Sequence, residues 1–140
     1  MLSAHQNVSK GHLYDTSTLK YLIPAFVCTV VIFYLSIISQ SSLPQTLKDL
    51  FSIDKLLHAI AYGTLAGTYF WGVQKYLGYL TLPQMILIAL GAAAYGVLME
   101  VIQYTFFPER YFEVLDILAN IMGIFISYLI YNLIHKTTAP

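Results

Sequence analysis

The feature that most constrains this chain is a set of apolar runs as long as a bilayer is thick. Residues 19–38 form a stretch of 20 that is almost wholly apolar, with Lys20 at its start. Crossing ~30 Å of hydrocarbon takes about 20 apolar residues at 1.5 Å each. A cleaved signal has a shorter apolar core, and the Ser39-Gln40-Ser41-Ser42 that follows is not a small-x-small cleavage site, so a retained span is expected. Three further spans are expected at about 53–76, 82–106 and 114–134. Backbone groups in hydrocarbon must be satisfied within the segment, which makes each span a helix. The predicted fold class is therefore all-α, a polytopic transmembrane bundle of about four helices occupying 19–135. A flexible polar N-terminal tail is expected over 1–18.

Composition narrows the function classes. Hydrophobic residues make up 58% of the 140 and charged residues only 10%, where a soluble domain carries about 25% charged. Basic and acidic residues balance at seven each. No basic arm interleaves with aromatics, which argues against nucleic acid as a partner. Cys28 is the lone cysteine, so no intrachain disulfide forms. CxxC-type metal or redox spacing is absent. No cofactor is expected, and membrane lipids are the expected partners.

Local signals refine the spans. Ser52 and Asp54 are both candidate N-caps of the second helix. That helix is the least hydrophobic and contains Gly63-x-x-x-Gly67, a spacing that lets helix backbones approach in lipid. Trp71, Tyr76 and Tyr79 near its far end suit an interfacial aromatic belt. Pro83 suits the first turn of the third helix. Ala92, Gly96, Glu100 and Gln103 line one stripe of that helix; Asp116, Asn120, Gly123 and Ser127 line one on the fourth.

The ionisable residues gather where the spans meet water. Asp54, His58 and Tyr62 stack on one helical face. Span parity puts Asp54, Glu100, Arg110 and Asp116 near the same membrane surface. That side carries Lys48, Lys55 and Arg110 among Asp49, Asp54, Glu100, Glu109, Glu113 and Asp116; the other has Lys10, Lys20, Lys75 and Lys136 against Asp15. With Lys55 and Arg110 set aside as site residues, the lysines favour the second side as cytoplasmic. Both termini are then expected in the cytoplasm of a multi-pass cell-membrane protein, with the polar cluster outward.

Three chemistries fit the cluster. His58 with Asp54 or Glu100 forms an acid/base set, the candidate catalytic residues if there is turnover. Lys55 and Arg110 are suited to an anionic head group, with Gln103, Asp116, Asn120 and Tyr62 as further ligand-contact candidates. A metal held by His58, Glu100, Asp116 and Asp54 is chemically admissible but lacks a ligand-spacing motif and ranks last; no metal is expected. The plain alternative is that polar side chains tie helices together, at about 0.6 kcal/mol per hydrogen bond on average. Asn120 and Gln103 fit that role, Tyr62 fits a core aromatic, and Glu109 and Glu113 fit loop charges. The whole set at one rim exceeds what packing needs, and ionisable residues at membrane depth point to function by default.

At these residues the sequence resembles the VanZ-like family of small bacterial integral membrane proteins. The resemblance rests on Asp54-Lys55-x-x-His58-x-x-x-Tyr62, Glu100-x-x-Gln103, Arg110, and Asp116-x-x-x-Asn120-x-x-Gly123, and covers roughly residues 36–131. The family pattern often has a serine three residues after the arginine, where this chain has Glu113. The resemblance implies about four membrane helices. A named member of that family is linked to resistance to the glycopeptide teicoplanin; nothing in the motif carries that link to this chain. The leading expectation is a polar pocket at the outer face for an anionic envelope component or lipid-linked cell-wall precursor. The alternatives are a non-catalytic assembly or binding protein and a small transporter. The stripes turn to Ala, Gly and Ser away from the cluster, which suits a dead-end pocket better than a path across.

Overall fold

A computed structural model of the chain describes residues 16–37, 51–108 and 111–136. The described residues hold four α-helices and a short 3-10 turn, Thr16–Leu22, with no strand. The helices are α1 (Ile23–Ile37), α2 (Phe51–Leu77), α3 (Leu82–Phe106) and α4 (Val114–Lys136). The expected four-helix architecture is what the chain adopts. Residues 1–15 of the expected tail, and most of the expected loop after α1, lie outside the described residues.

Among the described residues, three segments are long and apolar enough to cross a membrane: Leu19–Ile37, Leu82–Phe106 and Val114–His135. Helix α2 is less apolar but has 27 residues, about 40 Å at 1.5 Å each. Its composition follows from its position. It packs against α1, α3, α4 and the 3-10 turn, so less of its surface meets lipid and more of it can be small or polar. Its buried face supplies Tyr62, Leu65, Ala66 and Phe70 to the core, joined by Ile32, Met85, Ala92 and Ile124 from the other helices. The outward faces of α1, α3 and α4 are lined by exposed Phe, Leu, Ile and Val, the inverse of a soluble protein and what a lipid solvent requires.

Contacts at both ends fix an up-and-down order. At one end Tyr21 meets Trp71 edge-to-face, 5.7 Å between ring centroids, so the start of the first span lies beside the end of α2. At the other end Gln103 Nε2 donates to Ser36 O at 3.2 Å, joining the ends of α3 and α1. The helix ends follow local chemistry. Gly78 takes φ +82° just beyond α2, and its N–H bonds Gln74 O at 2.8 Å, a left-handed stop that suits glycine. Thr81 precedes α3, with Pro83 in the first turn, and the Thr81 N–H donates to Gln84 Oε1 at 2.8 Å. One expectation changes: α2 already begins at Phe51, so Ser52 and Asp54 lie inside its first turn and do not cap it. An acid within the first turn interacts with the positive end of the helix dipole.

The closest helix pair is α2 with α4, and the cause is glycine. A Cβ added at Gly123 would stand 1.9 Å from Ala59 O, and one at Gly63 2.9 Å from Gly123 O. One turn on, a Cβ at Gly67 would meet Ser127 Oγ at 2.9 Å. The Gly63-x-x-x-Gly67 pair thus packs on Gly123-x-x-x-Ser127, Gly63 against the Gly123 backbone and Gly67 against the Ser127 hydroxyl, as small residues permit in lipid.

Candidate functional site

The α2–α4 seam determines which side chains meet at its end. Asp54, Lys55 and His58 lie in the first two turns of α2, and Asp116 in the first turn of α4. Two helix N-termini therefore point toward the same rim, and both carry an acid where the dipoles favour one. Lys55 reaches across the seam. Its Nζ pairs with Asp116 Oδ1, with Glu113 Oε2 at 2.5 Å and with Asp54 Oδ2 at 3.6 Å. Asp116 is buried, and its enclosed Oδ1 has this ammonium as partner. Among the described residues, three carboxylates face this one lysine.

His58 sits one turn deeper, between two acceptors. Its Nδ1 lies 3.1 Å from Asn120 Oδ1 and its Nε2 3.7 Å from Asp116 Oδ2. Asn120 Oδ1 is thus within hydrogen-bond distance of the ring, and the Asp116 carboxylate lies just beyond it, within ion-pair range. Asn120 is 1% exposed. Its Nδ2 has no hydrogen-bond partner among the described residues and packs over Gly96, where an added Cβ would come within 2.8 Å of it. Gly96 therefore admits both this amide and the Tyr62 ring, which lies 3.2 Å from the same point.

Glu100 is 2% exposed. One of its oxygens accepts from the Glu113 backbone N–H at 3.4 Å, which links α3 to the segment leading into α4. The cost of a carboxylate at this depth is offset in part by that contact. Asp54, His58 and Asp116 also offer one ligand atom each within 4.8 Å of one another. The Lys55 ammonium pairs with both of those carboxylates and so supplies positive charge where a metal ion would otherwise have to.

The sequence candidates divide accordingly. Asp54, Lys55, His58, Asp116 and Asn120 come together, with Glu100 joined through Glu113. Gln103 instead bonds α1 through Ser36. Tyr62 is a core aromatic, 3% exposed, tilted against Tyr95 with 6.2 Å between centroids. Arg110 lies outside the described residues. Glu113 is the member that sequence reasoning left among the loop charges. Its place immediately before α4, three residues ahead of Asp116, was the available signal: a side chain there faces the same helix end.

No curated protein and no solved structure matches this chain. A family model, that of VanZ/LLP1, matches residues 2–135. That is nearly the whole length, and the chain belongs to the VanZ/LLP1 family.

Proposed function

We propose that the rim cluster is an outward-facing site for the head group of an envelope amphiphile, a membrane lipid or lipid-linked cell-wall precursor. The protein would then be a multi-pass cell-membrane protein with both termini in the cytoplasm. The observation that carries the reading is His58 held between Asn120 and Asp116 beside a lysine ringed by acids. Packing alone does not call for so many ionisable groups in one place.

An anionic head group would engage Lys55 by displacing a carboxylate from it. Glu113 is the one to move, since its side chain is 39% exposed while that of Asp116 is 8% exposed. Arg110 lies three residues earlier in the same connection and would supply the second cation. If turnover occurs, His58 would exchange the proton, with Asp54 or Glu100 as the acid partner. Orientation follows the lysines: Lys20, Lys75 and Lys136 lie at the end opposite the cluster, as cytoplasmic loops require.

A second reading is favoured by the pairing of Lys55 with Asp54, Glu113 and Asp116: the cluster fastens α4 to α2. The two readings separate by experiment. In the head-group reading, His58→Ala and Glu100→Gln strip a co-purifying lipid, seen by native mass spectrometry, while the thermal midpoint stays near wild type. Unfolding by both substitutions makes the cluster a fastening. Reporter fusions at Pro140 and beside Gln45 test orientation; an outward-facing Pro140 overturns it.

A further inference from the structure

Away from the cluster, the middle of the bundle contains a cleft of about 290 Å³ between α1, α2 and α3. Its walls include Thr29, Leu65, Tyr69, Ile88 and Tyr95, all near the midpoints of their helices and so near the centre of the bilayer. The polar atoms of the wall are already engaged. Thr29 Oγ1 donates to Ala25 O at 2.9 Å and lies 3.3 Å from Tyr69 Oη. Tyr95 Oη donates to Thr29 O at 2.9 Å. What remains for an occupant is mainly hydrocarbon, a surface that water does not fill.

Gly91 lines the cleft where it is open. Gly91 is exposed, and a Cβ there would meet nothing within 4 Å. At this depth the surrounding solvent is lipid chains. A relay of side chains leads from the cleft to the rim site. The Tyr95 ring touches Tyr62, Tyr62 shares the Gly96 surface with Asn120, and Asn120 bonds His58.

We propose that this cleft is a binding site for one acyl chain of a membrane phospholipid, inserted between α1 and α3 at Gly91. Placing that chain on the same molecule as the head group at the rim rests on the proposed function above; the chain site itself does not. The occupant is an acyl chain because the wall has no uncommitted polar group to recognise anything else. The cleft's volume is close to the lower limit of ligand clefts, about 300 Å³, which suits a single chain segment and not a whole lipid.

The test uses the full chain in phosphatidylcholine vesicles doped with phosphatidylcholine carrying a diazirine midway along one acyl chain. After irradiation, adducts are expected on Thr29, Tyr69 and Tyr95 as well as on the outward-facing Leu87 and Leu90. Gly91→Phe should remove most of the first set and leave the second. Gly91→Leu serves as the smaller filler if the phenylalanine variant does not fold. Adducts confined to Leu87 and Leu90 in the wild type, or cleft adducts undiminished in a folded Gly91 variant, overturn the proposal. The rim reading fails separately: His58→Ala and Glu100→Gln then leave lipid co-purification unchanged while Gly91→Phe still clears the cleft.

Discussion

Two sides of α2 solve the same packing problem in opposite ways. On the α4 side, glycines bring the backbones into contact and leave no space; Gly123 lies against Ala59 O. On the α1 and α3 side, a cleft walled by Thr29, Leu65, Tyr69, Ile88 and Tyr95 remains between the helices. The tight seam fixes the register of α2 against α4 and so places Lys55 opposite Asp116 and His58 opposite Asn120. Among the described residues the loose side pairs uncharged groups, such as Tyr95 with Thr29 and Gln103 with Ser36, and leaves hydrocarbon-lined space. In lipid, where apolar burial between helices supplies little drive, ionisable groups can be held in register only where backbones meet closely.

The largest effect is expected at the seam. Gly123→Val drives a branched side chain into the Ala59 carbonyl, a backbone group that cannot rotate away. Overpacking costs about 1–3 kcal/mol and at times more, and this site belongs at the top of that range. Reversible unfolding in mixed detergent micelles measures it, and a loss below about 1 kcal/mol would show that the seam yields. Next is Lys55→Met, which leaves Asp54, Glu113 and Asp116 facing one another. Breaking a fully buried pair costs about 3–5 kcal/mol and an exposed one about 0–1. This partly exposed group should fall between, near 2 kcal/mol. Equal stability of the variant would mean the acids find other partners. The smallest effect belongs to the loose side and has the opposite sign. Gly91→Ala meets no neighbour, and removing glycine from a helix interior gains about 0.5–1 kcal/mol. A destabilised Gly91→Ala variant would remove the contrast between the two sides.

The tight half of this contrast is visible in the sequence, and for a physical reason. A helix period maps residues onto faces, so Gly63, Gly67, Gly123 and Ser127 could be recognised as close-approach positions before any contact was known. The parity of the spans likewise placed Asp54, Glu100 and Asp116 at one surface. Individual partners were not legible. Gln103 and Asn120 look alike as buried amides, yet one bonds Ser36 of α1 and the other His58 of α2. Helix rotation by a few tens of degrees decides between those outcomes, and no local residue encodes it. Glu113 was passed over because loop charges commonly face water; its role depends on Lys55, 58 positions away.

The sequence alone determined that this chain is a helical membrane bundle with most of its acidic residues toward one end, because bilayer thickness and backbone hydrogen bonding leave few other solutions for such segments. Tertiary structure decided that Lys55 is committed to three acids, that His58 lies between an amide and a carboxylate, and that a cleft opens at Gly91. Those outcomes depend on the distances between helix axes, which are set by which small residues face each other across the bundle.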